Sequence, residues 1–174
     1  MAEVLPQLGL AGASFEVRLT THDVISAGGA ESVEFLVATN RGFEPMPLAR
    51  IASGGELSRV MLALKSILAG VDRVPVLVFD EIDAGIGGVV AGAVAQKLSE
   101  VATRHQVFVV THLAQVASRA ASHLLVEKGD GDGVTTAGVR PLEGEARVEE
   151  IARMLGGDPG SATSRKHARE LLGA

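Results

Sequence analysis

Residues 74–88 read VPVLVFDEIDAGIGG, a run that is apolar from Val74 to Phe79 and then stops at two acids, Asp80 and Glu81. Alternation marks strands with one solvated face, so a short run apolar on both faces predicts a central strand covered on both sides. A second such run, VFVVTH at 107–112, follows a helical pattern over about 88–103. Strand, helix, strand in that order predicts a parallel pair joined by a right-handed crossover, the unit of an α/β fold. Ligands of parallel sheets gather outside the carboxyl ends of the strands. One strand ends in Asp80–Glu81 and the other in Thr111–His112, and these ends are expected to lie close together.

Upstream, residues 52–59 read ASGGELSR, and Leu57, Val60, Met61, Leu64, Ile67 and Leu68 carry the spacing of a helix with one buried face. The helix is expected over about 56–70. Ser53 and Glu56, three residues apart, form a capping box. Gly54 and Gly55 are not explained by a cap, because each glycine in a helical turn costs about 0.8–1 kcal/mol against alanine. Two readings stand: a capped helix after a flexible turn, or a helix N-terminus kept bare so that an anion such as phosphate can approach its amides.

The acids admit a metal reading, with Asp80 holding Mg²⁺ directly or through water and Glu81 orienting a nucleophilic water. Their bland alternative is a pair that opens a loop in solvent. His112 alone is the pattern of a satisfied polar residue. The other histidines, 22, 105, 123 and 167, lack the i, i+3 or i, i+4 spacing of a zinc site. A hydrolase triad of Ser53, His112 and Asp80 is disfavoured, since no G-x-S-x-G elbow occurs and Ser53 follows a loop.

The chain has 174 residues, 47% of them hydrophobic and 21% charged, enough for one packed domain. It has no cysteine, which excludes disulfides, thiol catalysis and thiolate metal sites. No apolar run is long enough to span a bilayer and no leader is evident, so a soluble, cytoplasmic protein without a membrane partner is expected. A net charge of −5 argues against a surface that is wholly a nucleic-acid footprint, and the absence of Trp and Tyr argues against base stacking.

Residues 14–21 and 33–39 alternate like neighbouring half-buried strands, and 40–52 read as a loop. Residues 114–121 are expected to be helical. Residues 122–128 and 134–140 are expected to pair as a hairpin around GDGDG, followed by short helices at 146–155 and 162–172. GGDPGSATS at 156–164 is the best linker candidate. Arg165, Lys166 and Arg169 form the densest basic group, by default a solvated helix face and otherwise a DNA contact.

Taken in order, ASGGELSRVMLALKSIL, VPVLVFDEIDAGIGG and VFVVTHLAQVA resemble the signature, Walker B and switch-histidine segments of an ATP-binding-cassette ATPase head. With VRPLEGEARVEEIARMLGG and RKHARELL they look most like the RecN family of bacterial DNA repair proteins, relatives of the structural-maintenance-of-chromosomes (SMC) proteins. The resemblance runs from about Phe15 to Leu172. It implies an α/β head lobe: a parallel sheet flanked by helices, an N-terminal strand pair, and a C-terminal hairpin with short helices.

It also implies that Ser53, Gly54, Gly55 and Glu56 close over the γ-phosphate of ATP held by a second head. By the same resemblance Asp80 binds Mg²⁺ through water, Glu81 polarises the attacking water and His112 contacts the γ-phosphate. Three departures stand out. No G-x-x-x-x-G-K-[ST] occurs, so the chain looks like a fragment, inactive alone, whose partners are an N-terminal P-loop lobe of the same protein, a second head and DNA. Gly87 stands where such heads often carry an aspartate, leaving Asp83 as the nearest acid in an open role. Ala52 replaces the usual leucine. Residues 1–13 are expected to be the stub of a coiled-coil arm re-entering the head, partly ordered at most, and 14–174 the lobe itself. The implied setting is recombination and double-strand break repair in the nucleoid. A head of another SMC-like or nuclease-associated ATPase, or a protein-docking module that turns over no nucleotide, are the alternatives.

Overall fold

The computed structural model describes residues 1–131 and 134–173. The chain divides into two compact units, 1–111 and 112–174.

The first unit holds α1 (Val4–Gln7), β1 (Ser14–Ser26), β2 (Gly29–Ala38), β3 (Met46–Pro47), a single 3₁₀ turn at Leu48–Arg50, α2 (Gly54–Leu68), β4 (Val76–Phe79), α3 (Gly88–Ala102) and β5 (Gln106–Val109). β4 and β5 pair in parallel from Val76 opposite Gln106 to Phe79 opposite Val109, with α3 as the connection. The Val110 amide extends the ladder by donating to the Phe79 carbonyl, 3.0 Å. α2 and α3 pack on each other, and Val60, Leu62 and Ala63 of α2 and Ala91, Val94 and Ala95 of α3 are all buried. Each fully buried Val or Leu of this core contributes about 1.5–3 kcal/mol of transfer free energy.

Two expectations are corrected here. β4 is covered on one face only: Leu77 and Phe79 are 8% and 5% exposed, whereas Val76 and Val78 are 42% and 68% exposed. Phe108 and Val110 beside them are likewise open. An apolar run on both faces signals a strand that needs two covering layers, and the described residues supply one. Residues 1–13 are also better ordered than expected, because Leu5, Leu8 and Leu10 are buried and α1 packs on α2 and α3.

β1 and β2 form a long antiparallel ribbon in the register Phe15–Val37, Val17–Phe35 and Leu19–Val33. Directly opposed residues share a face, so these six line one side, joined by a ring contact between Phe15 and Phe35 at 5.6 Å. Glu16, Arg18, Thr20, Ser32 and Glu34 line the other. The turn between them is tight: the Ser26 hydroxyl accepts from the Gly28 amide (3.1 Å) and donates to the Gly29 carbonyl (3.3 Å), and Gly29 takes a φ of 108°. The expected loop at 40–52 contains β3, which pairs with β2.

The second unit holds α4 (Ala114–Ala117), β6 (His123–Gly131), β7 (Val134–Leu142), α5 (Gly144–Met154) and α6 (Ala162–Leu172). β6 and β7 form the expected hairpin. The GDGDG tip includes Asp132 and Gly133, which lie outside the described residues. Val148, Ile151, Ala152 and Ala168 make a small core with Ala114 and Ala117. The linker candidate at 156–164 is a tight turn over 156–161 that runs into the start of α6. The Asp158 carboxylate accepts from the Gly160 amide at 2.8 Å, and Arg165 donates to the Pro159 carbonyl at 2.6 Å.

Candidate functional site

The carboxyl end of β4 is a turn held by α2. Ser53 is extended at the N-cap of α2, and its side-chain oxygen accepts from the Glu56 amide at 3.3 Å, the expected half of a capping box. This cap places Gly54 and Gly55 inside the first helical turn. One turn on, the Ser58 hydroxyl donates to the Asp80 carbonyl (2.7 Å). Arg59 Nη1 donates to the carbonyls of Ile82 (3.2 Å) and Ala84 (2.9 Å).

The glycine pair now has a reason within the chain itself. A Cβ on Gly55 would lie 2.9 Å from both the Ala84 Cβ and the Glu81 carbonyl, so α2 approaches the 80–84 turn more closely than any other residue permits. A Cβ on Gly54 would collide with the Glu81 carboxylate. The chain's own Glu81 thus sets an anion against the start of α2, where the helix dipole favours negative charge.

Asp80 and Glu81 are both exposed. Asp80 Oδ1 accepts from the Glu81 amide at 2.9 Å, which folds the chain sharply out of the strand. Glu81 has a φ of 55° and is the one non-glycine residue with positive φ among the described residues. That conformation costs an L-residue about 1–2 kcal/mol and persists only where its surroundings impose it. Ile82 and Asp83 are buried, and Asp83 accepts a hydrogen bond from the Thr111 hydroxyl. Asp83 is thus an internal tie between the ends of β4 and β5, which answers its open role. Gly87 is exposed at the N-cap of α3 and offers no side chain to a ligand.

Ser53, Gly54, Gly55, Asp80 and Glu81 are thus brought into one place, with Thr111 reaching the same turn through Asp83. His112 is exposed and opens the second unit. Among the described residues no group of three or more His, Asp or Glu could hold a metal ion. Asp80 by itself is a hard oxygen donor at an exposed site, which suits Mg²⁺ because that ion takes one or two carboxylates and completes its shell with water and phosphate oxygens. Burial pushes the Arg59 guanidinium down from its ordinary pKa, with Glu56 opposing the shift. Ser58 and Arg59 were not singled out in the sequence. Their signal was Arg59 at i+4 from Gly55, a charge and a glycine on the same arc as Leu62 and Ala63.

The basic group of α6 is engaged. Arg165 pairs with Glu149 at 2.6 Å, Arg169 with Glu145 at 2.8 Å and Lys166 with Glu170 at 4.0 Å, which makes it a charge-balanced helix face.

No protein-family model matches the chain. The DNA repair protein RecN of Treponema pallidum is 49% identical over 177 residues, covering 98% of this chain and 31% of that protein. RecN of Deinococcus radiodurans is 51% identical over 169 residues, covering 97% and 29%. The chain belongs to the RecN family. It spans about a third of the length of these RecN proteins and corresponds to their C-terminal portion. RecN of Streptomyces coelicolor matches at 53% over 144 residues, 83% of this chain. In fold, the chain resembles the Smc head domain with a coiled coil and joint from Pyrococcus yayanosii, at a TM-score of 0.59 and 22% identity over 89% of this chain and 27% of that one. It also resembles the Smc head domain with an extended coiled coil from Pyrococcus furiosus, at 0.53 and 21% over 89% and 35%. The likeness to these Smc head domains is one of fold.

Proposed function

We propose that this chain is the C-terminal lobe of an ATP-hydrolysing head that acts in DNA double-strand break repair and recombination. The observation that carries the reading is the Asp80–Glu81 pair, exposed at the carboxyl end of a half-buried parallel strand with Glu81 held at a φ of 55°. The RecN relatives and the SMC-head fold supply the context.

In this reading a P-loop lobe of the same protein binds ATP beside Asp80, whose carboxylate would hold Mg²⁺ through water. Bound Mg²⁺ neutralises charge on the phosphate oxygens. Glu81 accepts a proton from water as that water attacks the γ-phosphorus; the bond to the bridging β–γ oxygen breaks, releasing ADP and phosphate. His112 contacts the γ-phosphate. Ser53, Gly54, Gly55 and Glu56 present the N-terminus of α2 to the ATP of a second head, where bare amides and a hydroxyl favour an anion. Most of the acceleration in phosphoryl transfer comes from positioning and charge stabilisation. DNA and the nucleoid enter through the full-length protein.

A second reading draws on a different observation. The open face with Val76, Val78, Phe108 and Val110 suits a protein surface, so the lobe could act by docking alone. One experiment separates the two. ATP hydrolysis is measured for this chain alone, then mixed with a P-loop lobe from the same protein, with Glu81 or Glu81→Gln. The ATPase reading expects no turnover alone, turnover on mixing, and a loss on the order of 10²–10⁴ with Glu81→Gln. An associated but inactive mixture supports docking.

A further inference from the structure

We propose that Arg59 is a positioning residue for Glu81, tying the start of α2 to the main chain that carries the carboxylate. The proposal deepens the ATPase reading and rests on it.

Arg59 is 5% exposed, and its hydrogen bonds run to two neutral carbonyls, those of Ile82 and Ala84. Its Nε is buried without a partner among the described residues. A buried cation held by carbonyls is a poor device for stability, since an apolar side chain of similar volume is often neutral or better there. It is a good device for geometry. The two carbonyls lie one and three residues after Glu81, and the Glu81 carbonyl between α2 and the turn accepts from the Ala84 amide at 2.9 Å. Ser58 fixes the carbonyl on the other side, at Asp80. Main-chain ties from α2 therefore bracket Glu81 and leave it one conformation, the costly one at positive φ. Without them less offsets that cost, since only the ties within the turn and that of Asp83 to Thr111 are left, and the carboxylate relaxes away from its place over Gly54.

A consequence concerns the two nucleotides of a head pair. The same first turns of α2 that face one ATP through Ser53–Glu56 hold the Glu81 that acts on another. The Glu81 carboxylate lies where a Gly54 Cβ would stand, so an anion bound against Gly54 displaces that carboxylate.

The test uses the full-length protein and three readouts: kcat, KM for ATP and the thermal midpoint. Arg59→Met removes the donors while filling the volume. It is expected to keep the midpoint and KM while kcat falls by up to about 10²-fold, the scale of a misplaced catalytic group. Arg59→Lys, which retains a cation with several donors, is expected to recover part of that kcat. Ser58→Ala, a milder cut of the same tie, is expected to lower kcat about fivefold, the equivalent of one neutral hydrogen bond, and carries the test if Arg59→Met does not fold. An unchanged kcat in Arg59→Met, or a kcat that falls only in step with the thermal midpoint, overturns the positioning role. Glu81→Gln is assayed alongside. Full activity in that variant overturns the role of Glu81 and the positioning role with it, absence of turnover in the unsubstituted protein overturns the ATPase reading itself, and an inactive Glu81→Gln beside a fully active Arg59→Met overturns the positioning role alone.

Discussion

Two parts of the first unit are built from strands, yet they are held together in opposite ways. The turn after β4 is fixed from outside the strand: Ser58 and Arg59 reach it from α2, Asp83 meets Thr111, and Gly55 lets the backbones touch. The β1–β2 ribbon is fixed mostly by its own ladder, with Arg18 and Glu34 paired across one face at 3.3 Å and Val17, Leu19 and Val33 open on the other. The first arrangement specifies one geometry because side chains from outside the strand hold successive main-chain groups of the turn. The second specifies register and leaves an apolar face bare. Precision in this chain is therefore concentrated where carboxylates leave a strand.

The largest test of that contrast compares two leucines. Leu77 on β4 is buried, and Leu77→Ala is expected to cost about 2–5 kcal/mol in chemical denaturation. Leu19 on the ribbon is 58% exposed, and Leu19→Ala is expected to stay within about 0.5 kcal/mol. Equal costs would mean that the ribbon's open face is covered in solution.

Gly55→Ala probes the close approach directly. The added methyl is expected to cost about 1–3 kcal/mol, the range for overpacking, and to lower kcat as well because Ala84 and the Glu81 carbonyl must move. Preserved stability with normal turnover would show that α2 stands further from the turn than the structure places it.

Acid sharpens the comparison by the smallest amount. The hydrogen bond from Lys65 at the end of α2, followed by the Val74 amide, holds the Asp72 carboxyl below the usual carboxylate range. A carboxyl depressed on folding contributes stability that is complete above its unfolded pKa, about 3.9, and is lost as pH falls through the lower folded value. Amide exchange at Val74 is expected to lose protection selectively below about pH 4, and Asp72→Asn to remove that pH dependence. A flat profile in the unsubstituted protein would show that the tie is absent in solution.

Sequence patterns located much of this architecture because its determinants are local. Helical periodicity placed α2, two apolar runs placed β4 and β5, and Ser53 marked the cap. The acids at Asp80 and Glu81 stood out because they end an apolar strand. Coverage was less legible: β4 reads as buried on both faces, since an apolar sequence states what a strand requires of its neighbours and is silent on whether they are present. Leu5, Leu8 and Leu10 show the converse, a short stretch without periodicity that is ordered because α2 and α3 offer it a surface.

The sequence by itself determined which residues carry charge at the strand end, the order of the elements and the family they belong to, because hydrophobic period, capping and turn chemistry act over a few residues. Only the tertiary structure decided that Gly55 serves contact with the 80–84 turn, that Asp83 is an internal tie, and that Arg59 grips the carbonyls beyond Glu81. Those facts depend on groups more than twenty residues apart meeting at hydrogen-bond distance, and no local propensity encodes such a meeting.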